Sequence, residues 1–394
     1  MPGLRDSACE DASGGGTSMN SAGELAVELQ EQAWTLQTEG RLDEAATAVK
    51  KALLLLEKSG DASSPDAANL LNDLAEIENE RQNFQDALLL AERAHSIEDQ
   101  LGNSFAGEGA AQIRGRTMGL IGEICRVRGD FDCAEVSLKK ALRIMATEFG
   151  EASEQVAEAR NNLAVLYKAC GRFDEGLYLY QQALDSVVKL NGEDCLASSV
   201  IYHNIGGMLH AKGDFTAAEP PGRRAWEISR RLLGEDAPQT LFDAVAYAAI
   251  LDGLQRYDES EAVYRRALAI FEKTFGPEHY EVAANLHNLA AVLCARGDVD
   301  QAEKLYRRAL AIKEKLLGEG SPDAALTLNN LGALLTRAGR PEEGAGLLQR
   351  AFTILHHRVP PDHPHLALAR ANLESALRST RSDLLPTSRF QSRF

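Results

Sequence analysis

Nine histidines and six cysteines are the side chains of this 394-residue sequence best suited to nucleophilic, acid–base or metal chemistry. Their spacing decides whether they could act together. Cys9, Cys125, Cys133, Cys170, Cys195 and Cys294 include no C-x-x-C pair, so neither a zinc knuckle nor a disulfide framework is suggested. They fall on helix faces without a paired His/Asn signature, which favours buried apolar roles over nucleophilic ones. His203 and His287 lie 84 residues apart and are not expected to share a metal. His356, His357, His363 and His365 form a cluster that could bind an ion in principle, but they read as adventitious surface histidines. Gly107-x-Gly109 could suggest a phosphate cradle; a nucleotide fingerprint needs a preceding strand, and a Walker loop needs Gly-Lys-Ser/Thr as well, so a plain loop is expected. No catalytic residue, metal site or cofactor is therefore predicted.

Composition supports that direction. Charged residues make up 25% and apolar residues 44%, as in ordinary globular proteins, and aromatics are only 6%. An apolar share carried by Ala and Leu favours helices over strands, which want β-branched and aromatic side chains. The net charge of −16 disfavours a nucleic-acid partner. That charge is uneven: residues 1–150 hold 14 Lys/Arg against 26 Asp/Glu, whereas residues 256–394 hold 19 against 17. No signal peptide or membrane span is apparent, which makes the cytoplasm the expected compartment.

The elements that would position any site come from a repeat. Gly40-Arg-Leu-Asp-Glu-Ala recurs at Gln82, Gly129, Gly171, Gly213, Gln255, Gly297 and Gly339, at intervals of 42, 47, 42, 42, 42, 42 and 42 residues. Apolar residues return at three- and four-residue steps before and after each turn, so each unit is predicted to be an antiparallel helix hairpin. Glycine closes the first helix in a left-handed conformation, and Asp/Glu follow in the first turn of the second. Ala164, Gly206, Ala248, Ala290 and Gly332 in first helices, with Ala183, Ala225, Ala267 and Ala309 in second helices, allow close approach. A lone hairpin cannot bury its face, so the units should stack into one continuous solenoid.

These small-residue and aromatic positions, and phrases such as Ala302-Glu-Lys-Leu-Tyr-Arg-Arg-Ala-Leu and Leu328-Asn-Asn-Leu-Gly-Ala-Leu-Leu, resemble the tetratricopeptide repeat. The 42-residue period resembles the longer variety found in kinesin light chains. The resemblance implies an all-α, right-handed superhelical solenoid of eight repeats (about 24–60, 65–102, 109–150, 153–192, 195–234, 237–276, 278–318 and 321–358) with a cap at 361–380. Residues 1–22 read as a flexible leader and 381–394 as a flexible tail.

The resemblance also implies that first helices line a concave groove. Ten residues before each turn stand Gln30, Asn72, Gly119, Asn161, His203, Val245, His287 and Asn329; nine before stand Glu31, Asp73, Leu120, Asn162, Asn204, Ala246, Asn288 and Asn330. Amides both donate and accept, so either column could hold an extended peptide or could tie neighbouring helices together. Arg126, Lys168 and His210, three residues before successive turns, and Arg116 form a row that would attract an acidic peptide, unless Glu123 and Glu158 neutralise it. Val200, Phe242, Val245 and Leu326 offer an apolar anchor patch or burial against the next repeat. The chaperone-adaptor set of Lys, Asn, Asn, Lys and Arg is absent, which disfavours a receptor for a terminal carboxylate. Pro220-Pro221-Gly222 should start the second helix of the fifth unit late, or kink it, as a hinge or as a tolerated irregularity.

Function is accordingly expected to be non-enzymatic binding of a protein or extended peptide, with an acidic one as the charge-matched case. The alternatives are a sensor whose superhelix responds to a signalling peptide, and the scaffold part of a larger signalling system.

Overall fold

The computed structural model describes residues 22–384 apart from residues 360 and 362, so residues 1–21 of the expected leader and 385–394 of the expected tail lie outside the described residues, whereas Ala22 opens the first helix and residues 381–384 end the last one. Among the described residues there are 17 α-helices and no strand. Packing divides the chain into two compact units that meet in sequence between Arg172 and Phe173. The first contains α1 (Ala22–Thr38), α2 (Leu42–Ser59), α3 (Pro65–Glu80), α4 (Phe84–Leu101), α5 (Glu108–Val127), α6 (Phe131–Phe149) and α7 (Glu154–Ala169). The second contains α8 (Phe173–Asn191), α9 (Leu196–Lys212), α10 (Phe215–Leu233), α11 (Pro238–Gly253), α12 (Tyr257–Phe275), α13 (Tyr280–Ala295), α14 (Val299–Leu317), α15 (Pro322–Arg337), α16 (Pro341–Arg358) and α17 (Pro364–Leu384).

Local chemistry sets these boundaries. Ser64, Ser153 and Ser321 cap α3, α7 and α15 through their hydroxyls. Asp130, Asp214 and Asp298, one residue after the turn glycine, accept from the backbone N–H of Cys133, Ala217 and Gln301 and so cap α6, α10 and α14. Where the turn lacks glycine, Gln82 (φ 63°) and Gln255 (φ 60°) adopt the left-handed conformation, at a cost of about 1 kcal/mol each. The bonds from Asn83 N to Glu78 O (2.8 Å) and Arg256 N to Leu251 O (2.9 Å) recover carbonyls that would otherwise end the helix unpaired.

Helix pairing rests on the small-residue columns. Ala75, Ala164, Ala248 and Ala290 in first helices and Ala52, Ala94, Ala183, Ala225, Ala267, Ala309 and Ala351 in second helices have no exposed surface. Gly122, Gly206 and Gly332 in the first-helix column lie close against the second helices of their hairpins. A Cβ on Gly332 would lie 2.9 Å from Gly344 O, and one on Gly206 would lie 3.2 Å from Gly222 Cα.

Two sequence expectations are corrected. The helix α10 runs unbroken from Phe215 to Leu233 with Pro220 and Pro221 inside it. Those prolines free the carbonyls of Thr216 and Ala217, which are on exposed residues where water can take them. The Asp214 cap and the burial of Ala218, Gly222, Ala225 and Ile228 hold the remainder in place. Second, Cys125 and Cys133 are joined as a disulfide across the α5–α6 turn, with their Cα atoms 6.0 Å apart. A search for C-x-x-C overlooks this pair because the hairpin turn, not short spacing, brings the sulfurs together.

The contact between Gly206 and Gly222 should be intolerant of bulk. Gly206→Leu is expected to cost roughly 1–3 kcal/mol through overpacking. The measurement is a lower urea midpoint, with faster amide exchange in α9 and α10 than in α15 and α16.

Candidate functional site

In the second unit, three positions on each first helix form a partly exposed stripe: those thirteen, nine and six residues before the turn. They are Val200, Asn204 and Gly207 on α9, and Phe242, Ala246 and Ala249 on α11. Ala284, Asn288 and Ala291 on α13, with Leu326, Asn330 and Ala333 on α15, continue it. Spacings of four and three residues keep each set on one helix face. The floor is small (Gly207, Ala249, Ala291, Ala333), and none of the twelve side chains is charged. Phe242 packs its ring 5.6 Å from that of Phe271, and Val245 lies beside it against the same apolar cluster.

The column ten residues before the turn lies to the side, where first helices meet. His203 Nδ1 is 2.8 Å from Asp243 Oδ1, and that buried carboxylate also accepts from Ser199 Oγ (3.3 Å) and Gln239 Nε2 (3.2 Å). His287 Nδ1 is 3.0 Å from Thr327 Oγ1 and its Nε2 is 3.1 Å from Asn330 Nδ2. The His287 ring also sits edge-on to Tyr306 at 5.3 Å. Burial, with the nearby Lys313 cation, pushes the His287 pKa down to about 4, so the imidazole is neutral near pH 7. Asn329 donates to Asn330 Oδ1 (3.2 Å) and accepts from Asn372 Nδ2 (3.0 Å) on α17. His210 packs edge-on to Phe215 at 5.2 Å.

The first unit's corresponding face is charged. Arg116 on α5 reaches back to α3, pairing with Asp73 (2.7 Å) and Glu76 (2.7 Å) and donating to Asn69 Oδ1 (2.9 Å). Burial opposes its charge, but the carboxylates of Glu76 and Asp73 outweigh it and hold the guanidinium above its ordinary pKa. Gln30 bonds Asp73 (2.5 Å), Gln37 bonds Glu80 (2.6 Å) and Asn72 bonds Thr117 (2.7 Å), which laces α1, α3 and α5 together. Arg126 pairs with Glu123 on its own helix at 2.6 Å. Asn161 donates to Asn162 Oδ1 at 3.3 Å. Lys168 is exposed near the end of α7, and desolvation lowers its pKa. The sequence points to Arg116 as a ligand contact but does not reveal Asp73 and Glu76 as its partners, because the pairing spans 40 and 43 residues.

Among the described residues, Cys125, Asp130 and Cys133 are one group whose ligand atoms lie within 4.8 Å of one another. The late histidines are placed otherwise: His356 stacks on Phe352 at 5.7 Å, and His363 Nδ1 accepts from His365 N at 3.2 Å. No helix among the described residues is long and apolar enough to cross a membrane.

Sequence profiles of the tetratricopeptide repeat match residues 31–99 and, in overlapping stretches, 113–186, 155–231, 197–273, 241–315 and 281–357. The chain belongs to the tetratricopeptide repeat family. Its repeats are of the kinesin-light-chain-like type. Protein KINESIN LIGHT CHAIN-RELATED 3 of Arabidopsis thaliana is 25% identical over 212 residues, which cover 54% of this chain and 32% of the plant protein. A clustered mitochondria protein homolog of Aedes aegypti is 23% identical over 192 residues, 49% of this chain and 13% of the relative. The chain thus spans about a third or less of these relatives' length. The apo quorum sensor NprR from B. thuringiensis shares the fold with a TM-score of 0.63 at 13% identity, over 86% of this chain and 89% of NprR. The apo form of RapI shares it with a TM-score of 0.55 at 15% identity, over 91% and 98% of the two chains.

Two inter-repeat contacts can be weighed directly. Replacing Arg116 by Met leaves Asp73 and Glu76 without their shared cation, Asp73 keeping only the bond from Gln30, and should cost about 1–3 kcal/mol. Adding Asp73→Asn and Glu76→Gln should recover much of that loss in urea titrations. For His287, an unfolded imidazole takes its proton near pH 6.5 and the folded one only near 4. The unfolded chain therefore binds more protons across that window, and stability falls as pH drops through it. The loss should be on the order of 2–3 kcal/mol, and His287→Gln, which cannot titrate, should flatten that part of the stability–pH curve.

Proposed function

We propose that this tetratricopeptide repeat chain is a non-enzymatic interaction scaffold whose second unit holds an extended peptide, or an extended segment of a partner protein, along the stripe on α9, α11, α13 and α15. The observation that carries this reading is the partly exposed floor of Gly207, Ala249, Ala291 and Ala333 beside the amides of Asn204, Asn288 and Asn330, the last held in place by its bonds to Asn329 and His287. Small residues leave room for a main chain, and amides can donate to and accept from its peptide groups whatever the side chains are. Val200, Phe242 and Leu326 supply apolar contacts for anchoring residues. In this reading His203, Val245, His287 and Asn329 act as positioning residues, fixing the lateral spacing of the helices that carry the stripe. His210 on α9 lies outside this stripe, as do Arg126, Asn161 and Lys168 of the first unit, and Arg116 shapes the first unit's face.

The stripe has no Lys or Arg, which disfavours a nucleic-acid partner. An acidic ligand has Lys168 as its main support, since Arg116 and Arg126 are paired internally. A cytoplasmic setting is part of the same proposal. The sensor alternative draws on NprR, a protein of this fold seen in complex with its cognate peptide NprX at a TM-score of 0.50 and 15% identity; that likeness concerns fold and not ligand.

The test is a peptide library displayed against the immobilised full chain, with selected peptides titrated by fluorescence anisotropy. Ala249→Trp with Ala291→Trp fills the floor and should weaken binding at least about tenfold. Val136→Trp, on an exposed second-helix position of α6, should leave it unchanged. Equal affinity of the filled variant for the selected peptides would sink the proposal.

A further inference from the structure

The pair Cys125 and Cys133 is absent from every other repeat. The two positions, four residues before and four after the turn, hold Leu36/Glu44, Glu78/Asp86, Tyr167/Glu175, Leu209/Ala217, Leu251/Glu259, Leu293/Gln301 and Leu335/Glu343 elsewhere. The third repeat thus carries thiols at both positions, and the hairpin turn brings them together. Their Cα atoms are 6.0 Å apart, within the span that a disulfide bridges without moving the backbone.

The two sulfurs differ in access. Cys125 is buried, with 2% of its surface exposed, while Cys133 is partly open to solvent. Cys133 also lies in the first turn of α6, where the helix dipole favours negative charge on its sulfur. The carboxylates of Asp130, which caps the same turn, and of Asp132 oppose that effect. A reachable sulfur with a buried one behind it is the arrangement of an attacking and a resolving thiol.

We propose that Cys125 and Cys133 form a hydroperoxide-modifiable dithiol site that closes reversibly to a disulfide across the α5–α6 turn. The Cys133 thiolate attacks the outer peroxide oxygen; the O–O bond breaks, Cys133 becomes a sulfenic acid and the alkoxide leaves, taking up a proton as the alcohol. The Cys125 sulfur then attacks the Cys133 sulfur, the S–S bond forms, and the hydroxyl departs with the Cys125 proton as water. Two thiols are oxidised and one peroxide is reduced. A dithiol reductant reverses the step by exchange at the more accessible Cys133 sulfur. Cys170, Cys195 and Cys294, which have no disulfide partner among the described residues, serve as internal controls.

The experiment uses the full chain, reduced, freed of reductant under argon, and given one equivalent of hydrogen peroxide before tryptic mass spectrometry. The expected product joins the peptide 117–126 to the peptide 129–139, two hydrogens lighter than the separate thiols, and disappears with dithiothreitol. Cys170, Cys195 and Cys294 should still alkylate. Cys125→Ser should accumulate a dimedone-reactive sulfenic acid at Cys133, while Cys133→Ser should leave Cys125 unmodified. Peroxide that spares the pair, or a linkage that dithiothreitol cannot open in the folded chain, would overturn the proposal. So would stoichiometric zinc retained by the reduced wild type and lost in Cys133→Ser, which would make Cys125, Asp130 and Cys133 a metal site instead.

Discussion

Everything in this chain depends on how closely two helices can approach at the small-residue columns. Ala or Gly in each first helix lies close against the second helix, as Gly206 does against Gly222 and Gly332 against Gly344, and the alanines of both helix columns have almost no exposed surface. A larger side chain there would separate the helices and lose dispersion contacts along their length. Glycine closes the distance further: a methyl group at Gly332 would collide with Gly344 O at 2.9 Å, and one at Gly206 would sit tightly against Gly222 at 3.2 Å. The larger apolar residues, such as Tyr264, Phe271 and Leu286, can then pack between hairpins, which is where the buried core of each unit lies. Local signals only place the ends: glycine or a left-handed glutamine stops one helix and an aspartate or serine starts the next.

With that spacing fixed, a one-residue change of register separates two kinds of work. Neighbouring residues on a helix point about 100° apart. Those ten before the turn therefore aim sideways at the next first helix, while in the second unit those nine before it share the partly exposed face with the floor residues, Asn330 also reaching back to His287 Nε2. The lateral set bonds across repeats, His203 to Asp243, His287 to Thr327 and Asn329 to Asn372. Each such bond contributes modestly to stability on its own. Its further effect is directional, because a hydrogen bond between first helices fixes how far one is rotated against the next.

Much of this arrangement was legible in the sequence. The period, the hairpins, the turn glycines and the small columns all follow from spacing that any one repeat shows and seven others echo. Three things were not. Asparagines occupy both the nine-back and the ten-back columns, so pattern alone could not say which one faces outward; that takes the actual rotation of each helix. The partners of Arg116 come from α3, 40 and 43 residues earlier, and a count of local charge cannot find them. Pro220 and Pro221 argue for a break by every local rule, yet burial of Ala218, Gly222 and Ala225 outweighs two lost hydrogen bonds whose carbonyls lie on exposed residues. Tertiary packing decided that helix, and a window of sequence does not contain it.

The charge of the chain takes on a different meaning once its pairs are known. Of the net −16, the excess lies in the first third, and within the first unit Arg116 and Arg126 already answer Asp73, Glu76 and Glu123. Glu158 stays exposed on α7; desolvation and the neighbouring Glu76 raise its pKa. An acidic ligand approaching that face meets more carboxylates than the row of cations would imply. The stripe of the second unit has no charged side chain, so contacts made there depend on amide geometry and apolar burial. Such contacts are only weakly screened by salt, whereas those of the first unit's face would weaken as ionic strength rises. Salt therefore separates the two faces physically: contacts made along the proposed stripe would persist as ionic strength increases, and contacts held by charge on the first unit's face would be released.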